Sequence, residues 1–423
     1  MGARDPAGGV RERPLLGLMM GLFFAFGFCT VLVDTLIPKL KGLFHLSYAE
    51  VMLTQSCFFL AFFLVSGPAG WLVGAIGYMR TVVVGLVVMS AGCVLFTPAA
   101  DAGSYPAFLG ALFILASGVT TVQVAANPLA ANLGDPAKAS ARLTLAQAFN
   151  SVATMLAPQF GAFFILGHAA PMPDPGRLAP AALAALRVHE AQTVQGPFLI
   201  IAASLAVFAL LCWLARRWAG PLAARPGAGF AHLFGRPRVV LGAIAIFTYV
   251  GAEVAIGSSI ANFLMSPKVL GLAMRQAGQL ISVYWGLAMV GRFAGAWLLR
   301  GLPAGAVLTG CALGSAALAA TAALAGGPLA AIAILAVGLF NSIQFPTIFT
   351  LAIEGLGEAT PAASGLLCLA IVGGAAAPLA TGFAADRLGL SLALFVPVAC
   401  YLWVATYCRL VSGGALVVGA AGR

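Results

Sequence analysis

Twelve apolar stretches, each long enough to cross a bilayer, fill almost the whole of this chain, and no water-soluble fold can absorb them. With 61% hydrophobic and 8% charged residues over 423 positions, too little charge is left to cover a soluble surface. Runs of about 20 residues, rising about 1.5 Å per residue in a helix, match a hydrocarbon core of about 30 Å. In lipid only a helix or a closed barrel satisfies every backbone group, and these runs lack the alternation of barrel strands. The fold class is therefore an all-α membrane protein. The sequence predicts twelve transmembrane helices over 15–38, 48–73, 81–100, 106–130, 142–167, 197–215, 238–265, 276–299, 304–325, 328–352, 361–384 and 390–411.

The first run follows a tail bearing Arg4, Arg11 and Arg13, is too long for a secretory signal core and carries Asp34, so it reads as a retained helix. Basic residues near helix ends resist export. With both termini cytoplasmic, the inner side collects most of them, including the run from Arg216 to Arg238, while the outer side keeps Lys39, Lys41, Arg177, Arg187, Lys268, Arg275 and Arg387. The expected location is a bacterial inner membrane. Topology and anionic lipid account for the net charge of +10, which leaves no need for nucleic acid as a partner. All eight cysteines lie in apolar runs at no metal-ligand spacing, so they read as small buried hydrophobes, and neither metal nor cofactor is expected.

The stretch from Arg216 to Arg238 is basic, rich in Pro and Gly, and divides the spans six and six. The expected organisation is a tail over 1–14, a six-helix bundle over 15–215, a linker over 216–237, a second bundle over 238–411 and a tail over 412–423. The other long interruption, His168 to Gly196, reads as an external cap in which Pro180 to Gln192 forms a short surface helix. The halves resemble each other: Gly118, Gln123 and Pro128 of the fourth span match Gly338, Gln344 and Pro346 of the tenth, and Ala157-Pro158 matches Ala377-Pro378. Pairs such as Gly291/Gly295 and Gly373/Gly374 allow helix backbones to approach closely.

An ionisable group inside a span costs about 2.5–3.5 kcal/mol on insertion scales, so it should face a cavity or a partner. Asp34 and Glu253 are such groups, and each can take up and release a cation. The amides fall in helical-face pairs: Gln123 with Asn127, Gln147 with Asn150, and Asn341 with Gln344. Paired donors and acceptors suit the adjacent hydroxyls of a sugar; the bland alternative is a hydrogen bond between helices. Gln55, Asn262 and Gln279 stand alone, and Trp285 beside Tyr284 offers an aromatic face for a sugar ring. Arg142 and Arg292 read as gate residues that hold Glu354, Glu358 or helix C-termini. His45, His168, His189 and His232 all lie at span ends or in loops, and none makes a catalytic constellation, so an enzyme is not expected.

Several runs carry a family resemblance: Gln123-Val-Ala-Ala-Asn-Pro128, Arg142-Leu-Thr-Leu-Ala-Gln-Ala-Phe-Asn150, Tyr249-Val-Gly-Ala-Glu253, Phe340-Asn-Ser-Ile-Gln-Phe-Pro346 and Gly382-Phe-Ala-Ala-Asp-Arg387. They resemble the fucose:proton symporter family of the major facilitator superfamily, closest to its glucose/galactose transporter branch. The resemblance implies the major facilitator fold, two six-helix bundles related by a pseudo-two-fold, working as a monomer in lipid. It also implies hexose uptake by alternating access, coupled to a proton or, alternatively, to sodium. Asp34 falls where fucose transporters carry a proton-coupling aspartate, whereas Gln123 replaces a second acidic residue of that branch, a role Glu253 could take. Gly74 stands where the superfamily often has Asp. A drug/proton antiporter on the same fold is the further alternative, and it predicts a cavity poorer in amides.

Overall fold

Prolines and glycines decide where many of these helices start, stop and break. The structure, a computed structural model, describes residues 12–34, 48–102, 104–161, 180–222 and 230–412. They form α1 (Glu12–Asp34), α2 (Tyr48–Ile76), α3 (Tyr78–Asp101), α4 (Tyr105–Ala131), α5 (Ala139–Gly161), α6 (Pro180–Leu214), α7 (Pro237–Met265) and α8 (Met274–Leu298). After these come α9 (Ala304–Leu324), α10 (Gly327–Asn341), α11 (Gln344–Ile353), α12 (Thr360–Leu369), α13 (Gly373–Leu388), the single turn α14 (Leu390–Ala393) and α15 (Phe395–Ser412). Pro237, Pro328 and Pro361 sit in the first turns of α7, α10 and α12, where the missing N–H has no intrahelical partner to lose. Gly77 alone joins α2 to α3, with φ +87° and ψ 163°, a conformation open to glycine and few others.

Among the described residues, ten helical stretches are long and apolar enough to cross a membrane. Of the predicted spans 142–167 and 276–299, the described parts are helical as α5 and α8; residues 162–167 lie outside the described residues.

Two predicted spans are each broken in two. The span 328–352 is α10 and α11 with a turn at Ser342–Ile343, and 361–384 is α12 and α13 joined by a 3-10 turn over Ala370–Val372. The expected external surface helix is instead the start of α6, a single helix of 35 residues. The alanines at 181, 182, 184 and 185 favour helix, and no Gly or Pro interrupts 181–195. The remainder of the cap up to residue 179 lies outside the described residues.

The chain forms two compact units: Met1–Ala126 with Val152–Ala224, and Asn127–Ser151 with Arg225–Arg423. In the first, α3 meets α4 through small residues: a Cβ on Gly118 would stand 2.5 Å from the Met89 backbone nitrogen. α6 adds the Phe96–Phe198 pair, at 4.5 Å between ring centroids, and the Ser90 hydroxyl donates to the Ala202 carbonyl at 2.8 Å. In the second unit α7 is central, packing on α8, α11, α13 and α15. A Cβ on Gly251 would stand 2.6 Å from the Ala377 Cβ, and one on Gly373 would strike the Phe247 backbone. The close approaches read from Gly291 and Gly373 are thus real packing constraints.

Candidate functional site

Proline 346 creates the site by what it lacks. Without an N–H it cannot bond the carbonyl four residues back, at Ser342, and the helix opens at Ser342–Ile343. Carbonyls freed inside a protein need other donors. Tyr249 of α7 supplies one, its hydroxyl donating to the Asn341 carbonyl at 2.9 Å; Arg292 of α8 supplies another, its Nε donating to the Ser342 carbonyl at 3.2 Å.

Around this break the side chains form a closed network. Asn341 Nδ2 donates to the Tyr284 hydroxyl at 2.9 Å, and its Oδ1 accepts from Ser315 Oγ at 3.1 Å and from Gln344 Nε2 at 3.3 Å. Gln344 Nε2 also donates to Ser315 Oγ at 3.0 Å. Asn341, Gln344 and Ser315 are wholly buried, so this predicted amide pair ties α8, α9, α10 and α11 together. Gln344 Oε1 keeps no partner among the described residues.

Glu253 stands one turn beyond Tyr249 on α7. The residue is half-buried, but its Oε1 is sealed from solvent and has no hydrogen-bond partner among the described residues.

The segment Asn127–Ser151 belongs to the same unit, and Arg292 is one of its ties. Besides Ser342, the guanidinium donates through Nη1 to the Gln147 carbonyl at 3.4 Å and to the Ser151 hydroxyl. The hydroxyls of Ser140 and Thr350 meet at 2.6 Å, Asn127 Nδ2 donates weakly to Cys368 Sγ at 3.9 Å, and Phe149 packs edge-on to Phe293. Arg142 turns back on its own segment, donating to the carbonyls of Ala130, Ala131 and Asp135, where α4 ends. It caps that helix C-terminus. Arg292 is different: its partners are carbonyls and a hydroxyl rather than Glu354, which pairs instead with Arg238.

The remaining candidates are dispersed. Gln147 is buried and Asn150 half-buried on α5; Trp285 is 40% exposed, its ring 5.1 Å from that of Tyr284; Asn262 and Gln279 are exposed. Gln123, half-buried, belongs to the first unit, while its helical partner Asn127 belongs to the second. Asp34 is the last residue of α1, and Gln55 lies on α2; the side chains of both are outside the described residues. Sequence reasoning gave no role to Tyr249, Ser315 or Ser151. Tyr249 was detectable, four residues before Glu253 on one helical face, but a serine amid alanines, such as Ser315, carries no periodic signal.

All eight cysteines are free thiols. Among the described residues the polar inventory is amides and hydroxyls with Glu253, Arg142 and Arg292, a set able to bind a neutral polar ligand. Residues 18–378 match the family model described as Major Facilitator Superfamily. The chain belongs to that superfamily. Its members are membrane carriers, not enzymes, and the all-α, two-bundle fold is theirs. Among its relatives is a protein named glucose/galactose transporter from Brucella abortus biovar 1 (strain 9-941), 47% identical over 390 residues, which cover 91% of each chain. The L-fucose-proton symporter of Escherichia coli (strain K12) is 32% identical over 402 residues, 93% of this chain and 92% of that one. The crystal structure of the superfamily transporter FucP in the outward conformation superposes with TM-score 0.88 at 30% identity, covering 95% of this chain and 99% of that one. A proton:xylose symporter at 14% identity, covering 93% of this chain and 94% of its own, shares the fold alone, with TM-score 0.68.

Proposed function

We propose that this protein is a secondary active importer of a monosaccharide of the glucose/galactose type, driven by a co-transported cation, a proton first, through alternating access. One observation carries the reading: 47% identity across 91% of both chains with a protein named glucose/galactose transporter. The buried amide and hydroxyl network of the second unit supports it, because a carrier for a neutral, hydroxyl-rich solute needs polar helices that lipid would otherwise exclude. Asn150, Asn262, Gln279 and Trp285 retain exposed or half-exposed faces and are assigned to the sugar together with Gln147; Gln123 and Gln55 are given the same role in the first unit. Asn341 and Gln344 brace that polar surface. Asp34 and Glu253 carry the coupling ion, and Arg142 and Arg292 hold the cytoplasmic gate. The protein works as a monomer in a bacterial inner membrane with both termini inside.

The test is uptake of labelled glucose, galactose, mannose and fucose into proteoliposomes, with pH and sodium gradients imposed separately. Glucose and galactose should accumulate with an inward proton gradient. Asp34→Asn should lose accumulation and keep counterflow; full gradient-driven uptake by that variant would remove Asp34 from the mechanism.

A further inference from the structure

We propose that Gly257 is a positioning residue of the sugar site: having no side chain, it seats the Trp285 ring against α7, and the seated ring is the platform on which the sugar stacks. The proposal rests on the transport reading above and deepens it by saying how the aromatic face is built. Its first ground is a contact between two helices. A Cβ on Gly257 would stand 3.5 Å from Trp285 Cζ2, so a single carbon there would already touch the benzo edge of the indole. Outside its own helix, Cζ2 is the only atom among the described residues that this Cβ would meet within 4 Å. Gly251 is different, because it is held by Ala377 and the Gly373 backbone; the ring alone makes use of the bare backbone at 257. The second ground is that the indole is supported from its own helix. Tyr284 beside it is wholly buried, its ring 5.1 Å away at 81°, and its hydroxyl accepts from Asn341 Nδ2 at 2.9 Å. The Tyr284 backbone is fixed as well, since a Cβ on Gly338 of α10 would strike its carbonyl oxygen.

Helical periodicity decides which way the platform looks. Arg292 and Phe293 lie seven and eight positions beyond Trp285, hence on the same side of α8 and about two turns nearer its C-terminal end. Arg292 donates to the Gln147 carbonyl at 3.4 Å, and Phe293 packs on Phe149, so this side of α8 looks toward α5 and not outward to lipid. Trp285 is nonetheless 40% exposed, so its ring borders open space on the polar side of the helix. A large apolar face among amides suits a pyranose, whose C–H surface lies flat on the indole while its rim of hydroxyls takes the polar groups. A side chain longer than one carbon at 257 competes for the space of the benzo edge and tilts the indole off α7. The platform is then lost although Trp285 itself is unchanged.

The experiment compares Gly257→Ala with Gly257→Leu, first without sugar and then in uptake. In protein labelled with 5-fluorotryptophan, the fluorine signal of Trp285 is the one missing from Trp285→Phe. It should keep its position in Gly257→Ala and shift or broaden in Gly257→Leu; an undisturbed signal in Gly257→Leu overturns the seat. In proteoliposomes, Gly257→Leu should raise KM for glucose and galactose by about tenfold and leave kcat within about twofold. Gly257→Ala, the conservative variant, should hold KM within about twofold of the parent. A displaced ring with an unchanged KM overturns the role of Gly257 in binding, as does a Gly257→Ala variant impaired as much as Gly257→Leu. Leucine is the better helix former, so a thermal midpoint at or above the parent's separates lost affinity from lost fold. If Gly257→Leu does not fold, Gly257→Val takes its place in both measurements. A parent with no saturable hexose uptake removes the transport reading instead, and the sugar-free fluorine signal still decides the seat.

Discussion

Replacing Asn341 by alanine tests whether the amides at the helix break are structural ties. The substitution removes a bond to Tyr284 at 2.9 Å and leaves Ser315 and Gln344 without their shared acceptor at 3.1 and 3.3 Å. Side-chain hydrogen bonds between membrane helices contribute about 0.6–1 kcal/mol each, so three of them come to about 2 kcal/mol. For a folding unit of this size that corresponds to a fall of about 4–8 °C in melting midpoint. The protein supplies its own probe: Cys29, Cys93, Cys212, Cys368 and Cys408 are free and buried, and become reactive to a fluorogenic thiol dye on unfolding. Purified in detergent without sugar, Asn341→Ala should melt earlier by that amount, and Ser315→Ala by less. An unchanged sugar-free midpoint, with only the sugar-induced rise in midpoint lost, would refute the bracing role and make Asn341 a direct sugar contact.

Pro346→Ala restores an N–H to the Ser342 carbonyl, which then competes with Arg292; the loss of one charge-assisted bond of about 1.5 kcal/mol should speed alkylation at a Ser140→Cys reporter by about tenfold. An unaltered rate would mean that the proline does not prepare the carbonyl for Arg292. Gly373→Ala drives a Cβ into the Phe247 backbone and should lower the thermal midpoint through a loss of about 1–3 kcal/mol, seen also as a smaller monodisperse yield. Arg142→Gln removes the cation from the carbonyls of Ala130, Ala131 and Asp135 and should speed amide hydrogen exchange over 130–138, with α7 unaffected.

The helices were readable because the bilayer sets a simple one-dimensional rule: about 20 apolar residues in a row must be helical, wherever their neighbours are. The amide pair Asn341 and Gln344 was visible as a pair, but not that its two members bond each other and Ser315. Arg292 was visible as a residue to hold Glu354, Glu358 or helix C-termini, but not that it meets the Ser342 and Gln147 carbonyls while Glu354 pairs with Arg238. Pro346 was noted as half of a repeat with Pro128, yet α4 runs unbroken through Pro128 while the chain parts at Ser342–Ile343.

Sequence by itself therefore determined the class of the protein, the position of its spans and the identity of its intramembrane polar residues, since each depends on the cost of placing one residue in lipid. Only the tertiary structure decided which of those residues are spent on one another. Tyr249 and Asn341 are 92 positions apart and Arg292 and Gln147 are 145 apart, and at such separations no local pattern records a partner. A buried donor takes whichever acceptor packing brings to it, and one acceptor here, the Ser342 carbonyl, is released by Pro346 on another helix.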